Sequence, residues 1–520
     1  MSFYPRLFIA LLSFVAGSQA FAANPVDTET YLQKFHANPK AVMNDKLVSR
    51  DQYGFVLPEE SGLWPANEEE NKLQLEKKNE IRSKICKVGL NEPCNKPSVK
   101  ANVFADITPL EELTRLLYTP NIQRSLAEMD RQNLQIHVLD PSPWSESYWP
   151  VHKGGMARRY ADPTFPESKV WIENYSHYLA VPPAAVPTSQ KSPAEKYDLL
   201  IGDGGYNLTR ASWLEGKNGY YDPRGAVPTW VGYCHGWAPA SFMYKQPVKA
   251  VTVTNPSGQQ VRFTPTDIKA LASLSWGEAP PVVGFIGDKC KRDKVPQDEN
   301  GRILDPVCFD VNPGAWHIAL VNQIGLQKRS MVMDATFNRE IWNFPIHGYR
   351  YKYFNPQTLR ESTHMAGAMI PMNQFKIDKF KKYRSAKAAY VVGIALDVGY
   401  SAELEPTTAE GPREVKHKVV RFLYDLELNS EGTIIGGEWY SNHHPDFVWN
   451  PFPLDLFPDR RPLSAPERTY LESHPFLPTW TGEGPISADL MELGRRASVL
   501  EQPLHVVVDK LVEMSIEKTP

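Results

Sequence analysis

The stretch Pro228–Tyr244, Pro-Thr-Trp-Val-Gly-Tyr-Cys-His-Gly-Trp-Ala-Pro-Ala-Ser-Phe-Met-Tyr, constrains the fold more than any other part of the chain. Glycines at 232 and 236 flank Cys234 and let the backbone turn sharply or approach another group closely. Proline is tolerated in the first turn of a helix, so Pro239 predicts that a helix running toward Tyr244 starts near Gly236. Cys234 then lies just before a helix N-terminus, where partial positive charge favours a thiolate. Read locally, Cys234 is either a nucleophile or a buried or disulfide-bonded residue.

The amino terminus bears on that choice. Arg6 precedes an apolar run, Leu7–Ala16, and Ala20-Phe21-Ala22 forms an A-x-A cleavage site, which predicts a signal peptide over residues 1–22. The run is too short to span a bilayer, and no later run reaches about 18 apolar residues. The expected product is secreted or periplasmic, with cleavage after Ala22. In an oxidising compartment Cys86 with Cys94, and Cys290 with Cys308, can close small loops. Five cysteines leave one over, and Cys234 has no near neighbour in sequence. This points to a thiol kept reduced for chemistry.

Composition excludes several function classes. The chain has 57 Lys and Arg against 60 Asp and Glu, so no excess of positive charge addresses nucleic acid or an anionic membrane. Its 45 prolines in 520 residues argue for a loop-rich protein and against a long helical bundle.

Residues 23–140 are polar and helix-leaning, notably Glu68–Arg82 and Leu110–Leu126. A solvated helical face and an inhibitory pro-segment both fit this region. From Pro141 the chain turns aromatic, with Trp144, Tyr148 and Trp149 suited to the wall of a cleft or to core packing. Tyr197–Gly205 reads as a strand entering a Gly-rich turn that lacks the spacing of a nucleotide loop. Strands are expected at Ala250–Thr254 and Gln260–Thr264, then a helix at Thr266–Ser275 capped by Thr266. Trp316–Gln323 and Arg329–Asn338 read as a hairpin around Gly325-Leu-Gln-Lys, which sets His317 opposite Asp334. Further strands are expected at Ala389–Val398, Val419–Glu427 and Thr433–Tyr440, and helices around Ser487–Glu492 and Leu504–Met514.

A thiol nucleophile needs a base, and the base needs a third group to hold its tautomer. Cys234, His317 and Asp334 occur in the order used by papain-like and transglutaminase-like enzymes. His235 adjoins the cysteine but diverges from it on a helix, and His347, His443 and His444 are rivals with structural readings of their own. Zinc is disfavoured, because neither C-x-x-C nor H-E-x-x-H occurs.

Three segments carry a resemblance: Trp230-Val-Gly-Tyr-Cys-His-Gly-Trp-Ala-Pro-Ala, Asn312-Pro-Gly-Ala-Trp-His-Ile-Ala-Leu-Val-Asn and Met333-Asp-Ala-Thr-Phe-Asn. Each resembles the transglutaminase elicitor family of secreted oomycete and bacterial proteins. Ile341-Trp-Asn-Phe-Pro-Ile-His-Gly-Tyr is similar to that family's surface peptide, a defence signal to plants, but carries Phe344 and His347 where Gln and Arg are usual. Gly436-Gly-Glu-Trp-Tyr with His444-Pro-Asp-Phe resembles its C-terminal β segment.

The resemblance implies a protein-glutamine γ-glutamyltransferase with a catalytic triad of Cys234, His317 and Asp334. Its substrates would be proteins with glutamine donors and lysine or other amine acceptors. Calcium dependence is implied as well, although no EF-hand loop is present in the sequence. The expected fold is α+β, a papain-like transglutaminase core in which the nucleophile helix packs on an antiparallel sheet. The expected layout is a helical region at 23–140, a catalytic core at 141–380, a β segment packed on it at 381–450, and a Pro-rich, helical tail at 451–520. The backbone N–H of Cys234, with Trp230 or Trp237, is a candidate oxyanion donor. Alternatives on the same core are a cysteine peptidase, amidase or deamidase; a non-catalytic elicitor or binding protein is the reading without an enzyme.

Overall fold

The computed structural model describes residues 27–45, 50–51, 112–220, 227–278, 283–288, 295–305, 308–335, 340–457 and 461–516. The expected signal peptide and Cys86, Cys94 and Cys290 lie outside them, so neither expected disulfide falls wholly within the described residues.

One antiparallel sheet organises the molecule. Its main strands are β1 (Val283–Gly287), β2 (Val332–Asp334), β3 (Asn343–Phe354), β4 (Tyr390–Ser401), β5 (His417–Leu428), β6 (Ile434–Trp439) and β7 (Phe447–Pro451). They lie in the order β5-β4-β3-β2-β7-β1, and β6 pairs with β5. Strands β3, β4 and β5 are 12 residues each and almost wholly buried, as central strands covered on both faces must be. Within the segment 381–450, β4 hydrogen-bonds directly to β3 and lies in the middle of the sheet. The β4–β3 register slips between Gly399 and Tyr400, where His347 is the extra residue of a bulge.

Helices cover this sheet. We label α1 (Cys234–Met243), α2 (Pro265–Glu278), α3 (Pro313–Leu320) and α4 (His505–Ser515). Helix α1 packs on β3 and on α2. A Cβ built on Gly236 would lie 2.0 Å from the carbonyl oxygen of Ser273 in α2, so only glycine permits this crossing.

Several expectations hold in place and type. Val251–Thr254 pairs with Gln260–Phe263, β5 and β6 form a hairpin, and α4 covers the apolar run near the C-terminus. Others do not. Pro193–Leu200 is a helix opened by a Ser192/Glu195 capping box with proline in its first turn, so Tyr197 begins no strand. The cap of α2 is Thr264 rather than Thr266: the Asp267 N–H donates to the Thr264 hydroxyl, and the Asp267 carboxylate accepts the Thr264 N–H.

The largest departure is the hairpin expected to carry His317. Residues Pro313–Leu320 form α3 and Val321–Leu326 continue it as a π-helix. The Asn312 side chain caps α3 by accepting N–H bonds from Gly314 and Ala315, with Pro313 behind it in the first turn. Strand β2 pairs instead with β3 and β7, and Asp334 stands opposite Asn343, not His317.

Candidate active site

Helix α1 begins at Cys234 itself, two residues earlier than the sequence suggests, and Pro239 lies inside it. The backbone carbonyl of Tyr233 accepts N–H bonds from Gly236 and Trp237, which sets the cysteine in the first turn. Gly232 is needed just before, because a Cβ there would lie 2.4 Å from the Tyr148 carbonyl.

The thiol is free and only 4% exposed. Its sulfur lies 3.6 Å from Nδ2 of Asn343, the first residue of β3, and 3.7 Å from the carbonyl of Ile341. Asn343 is held in turn: its Oδ1 accepts a 2.9 Å bond from the Trp449 indole on β7. Asp334, fully buried at the end of β2, accepts the backbone N–H of Trp342 at 3.0 Å. Close by, the Glu340 carboxylate accepts the indole N–H of Trp342 at 2.7 Å. The rings of Tyr148 and Trp342, each half-buried, meet edge to face 5.0 Å apart.

Burial pushes the Cys234 thiol up to about 11, and the negative charge of Asp334 adds to the rise. The backbone and side-chain N–H groups of Asn343, and the backbone N–H of His235, pull it back in part. Helix position alone would have lowered it, so desolvation outweighs the helix N-terminus here. Burial likewise raises the Glu340 carboxyl, with Asp334 adding to it.

The structure thus brings Cys234 and Asp334 into electrostatic contact but does not bring His317 to them. His317 is fully buried on α3, where Nδ1 bonds the Tyr424 hydroxyl at 2.8 Å and the ring meets Tyr351 edge-on at 4.9 Å. Burial alone drives its pKa down to about 3, and no charge of Cys234 or Asp334 acts on it. Tyr351 and Asn343 lie eight residues apart along β3, about 26 Å in an extended strand. The rivals are placed elsewhere as well: His347 stacks on His417 and His444 on Trp439. The Trp237 indole is spent on the Trp144 carbonyl at 3.1 Å, whereas the buried Trp230 indole N–H has no hydrogen-bond partner among the described residues.

Sequence reasoning missed Asn343 and Trp449 as members of the site. Asn343 was in view only as part of the expected surface peptide. That peptide is not on the surface: Asn343, Ile346 and His347 are fully buried, and Trp342 is its half-buried residue at the site. Among the described residues no three His, Cys, Asp or Glu side chains converge to hold a metal ion.

A helix with a thiol in its first turn packs on an antiparallel sheet, and the whole is a mixed helix and sheet fold of the transglutaminase type. Residues 209–456 match the transglutaminase elicitor family, the family that the sequence motifs resemble, and this segment belongs to it. The match takes in α1, α3 and the strands from β1 to β7. Among solved structures the chain is similar to the GP42 transglutaminase from Phytophthora sojae, at 20% identity and a TM-score of 0.47 over 78% of this chain and 97% of that one. No curated protein matches the chain. Among the described residues no helix is long and apolar enough to cross a membrane.

Proposed function

We propose that this protein is a secreted acyltransferase that forms a thioester on Cys234 from a protein glutamine and passes the acyl group to a primary amine. The observation that carries the reading is the free thiol in the first turn of α1, met by N–H donors and acted on by Asp334 within a transglutaminase elicitor segment.

The Cys234 sulfur attacks the carboxamide carbon while its proton passes to the Asp334 carboxylate. Asp334 returns that proton to the departing amine, so the carbon–nitrogen bond breaks and ammonia leaves. A lysine amine then attacks the thioester and loses a proton through Asp334 to the sulfur, which restores the thiol. The sulfur is buried, which limits the access of water that at about 55 M otherwise outcompetes a millimolar amine.

The test is incubation of the mature protein with a glutamine peptide and a fluorescent primary amine, with and without calcium. Wild type is expected to yield the conjugate with ammonia in step, and Cys234→Ala to yield neither. Glutamate formed without conjugate makes the enzyme a deamidase, and a cut backbone makes it a peptidase. The second reading, a non-catalytic binding or elicitor protein, is favoured by one observation: burial pushes the thiol up to about 11, and His317 lies apart from it, bonded to Tyr424. Absence of all three products supports it.

A further inference from the structure

We propose that Asn343 is a catalytic residue, its side-chain amide held by Trp449 so that the NH2 end faces the Cys234 sulfur and stabilises negative charge there. The inference rests on Cys234 being the nucleophile and adds the group that makes its thiolate accessible.

The orientation of the amide follows from chemistry. An indole nitrogen only donates, so the atom of Asn343 that meets Trp449 at 2.9 Å must be the acceptor Oδ1. The other end, Nδ2, is then the one 3.6 Å from the sulfur. Trp449 is itself fixed: it is 2% exposed and pairs with Val332 of β2 on one side and Phe285 of β1 on the other. Asn343 pairs with Asp334 on the opposite edge of β2, so the indole reaches the amide across this three-residue strand. Trp449 acts through Asn343 and is a positioning residue.

The need for such a donor follows from what surrounds the sulfur. A buried thiolate is costly unless it is paired or hydrogen-bonded. Among the described residues the side chain that hydrogen-bonds the sulfur is that of Asn343, and a charged neighbour, Asp334, is of like sign. Neutral N–H groups favour the thiolate here: Asn343 supplies its backbone N–H and its side chain, and His235 its backbone N–H. Hydrogen bonds to a charged acceptor are about twice as strong as neutral ones, so the amide favours the thiolate over the thiol.

The experiment is the rate of Cys234 alkylation by iodoacetamide as a function of pH, with the modified site assigned by peptide mapping. Asn343→Asp keeps the size, the backbone N–H and an acceptor for the Trp449 N–H, but replaces the side-chain N–H at the sulfur with a carboxylate oxygen. It is expected to move the profile to higher pH and slow alkylation at pH 8 by about ten-fold or more. Trp449→Phe keeps the packing, frees the amide to turn, and is expected to move the profile the same way by less. If Asn343→Asp does not fold, Trp449→Phe carries the test alone. Wild-type profiles in the folded variants overturn the role of Asn343. Alkylation requires no acyl transfer, so that failure leaves the acyltransferase reading standing. Conversely, a shifted profile in a protein that makes no conjugate overturns only the acyltransferase reading.

Discussion

Replacing Gly236 with alanine tests whether the crossing of α1 and α2 sets the geometry of the nucleophile. The added Cβ would lie 2.0 Å from the Ser273 carbonyl oxygen and within 2.9 Å of the Gly277 backbone, against about 3.4 Å for ordinary van der Waals contact. All three atoms are backbone, so no rotamer change relieves the clash, and the helices must separate by about 1.4 Å. Overpacking of this kind costs about 3 kcal/mol, the upper part of its usual range. Because Gly236 is two residues from Cys234, a shift of α1 also disturbs the 3.6 Å approach of Asn343 to the sulfur. Urea unfolding should therefore show a large loss of stability, and the pH profile of Cys234 alkylation in the folded fraction should differ from that of wild type. Gly277→Ala is the control across the same crossing. Its Cβ meets the tip of His235 at 3.3 Å and Tyr233 at 3.5 Å, and helix propensity favours alanine by about 1 kcal/mol, so it should be near neutral. Equal stability of Gly236→Ala and wild type would refute the argument from close packing.

His317→Ala should cost about 2–4 kcal/mol by removing a buried ring and its bond to Tyr424, yet leave the pH profile of Cys234 alkylation unchanged; a shifted profile would place His317 in communication with the sulfur. Glu427 lies in the buried cluster around Arg384 and Asp425, where burial raises its carboxyl to about 7 from the ordinary 4.5. The folded state holds this proton more tightly than the unfolded chain, so the group stabilises fully below about pH 4.5 and that contribution is lost as pH rises through about 7. Glu427→Gln should abolish the corresponding decline in urea midpoint between about pH 5 and 8, and an unchanged decline would assign it to another group.

The sequence by itself determined the features that depend on near neighbours. The turn into a helix at Cys234 follows from two flanking glycines, and the β5–β6 hairpin from Asn429-Ser-Glu-Gly, whose Asn429 side chain accepts the N–H groups of Glu431 and Thr433. The family was legible too, since its motifs are short and contiguous. The run from Trp316 to Gln323 was misread because a short apolar segment has no decisive period when it is buried on every side. The Asn312-Pro313 cap was the local signal that would have called it a helix. Only the tertiary structure decided what meets the sulfur. Asn343 and Trp449 lie 109 and 215 positions from Cys234, and strand pairing through β2, not sequence proximity, sets them side by side. The same packing removed His317 from the site, because α3 turns its imidazole into the aromatic layer of Tyr351 and Tyr424. Burial then reversed what the helix N-terminus implied for the thiol, since desolvation depends on every chain segment that excludes water from Cys234.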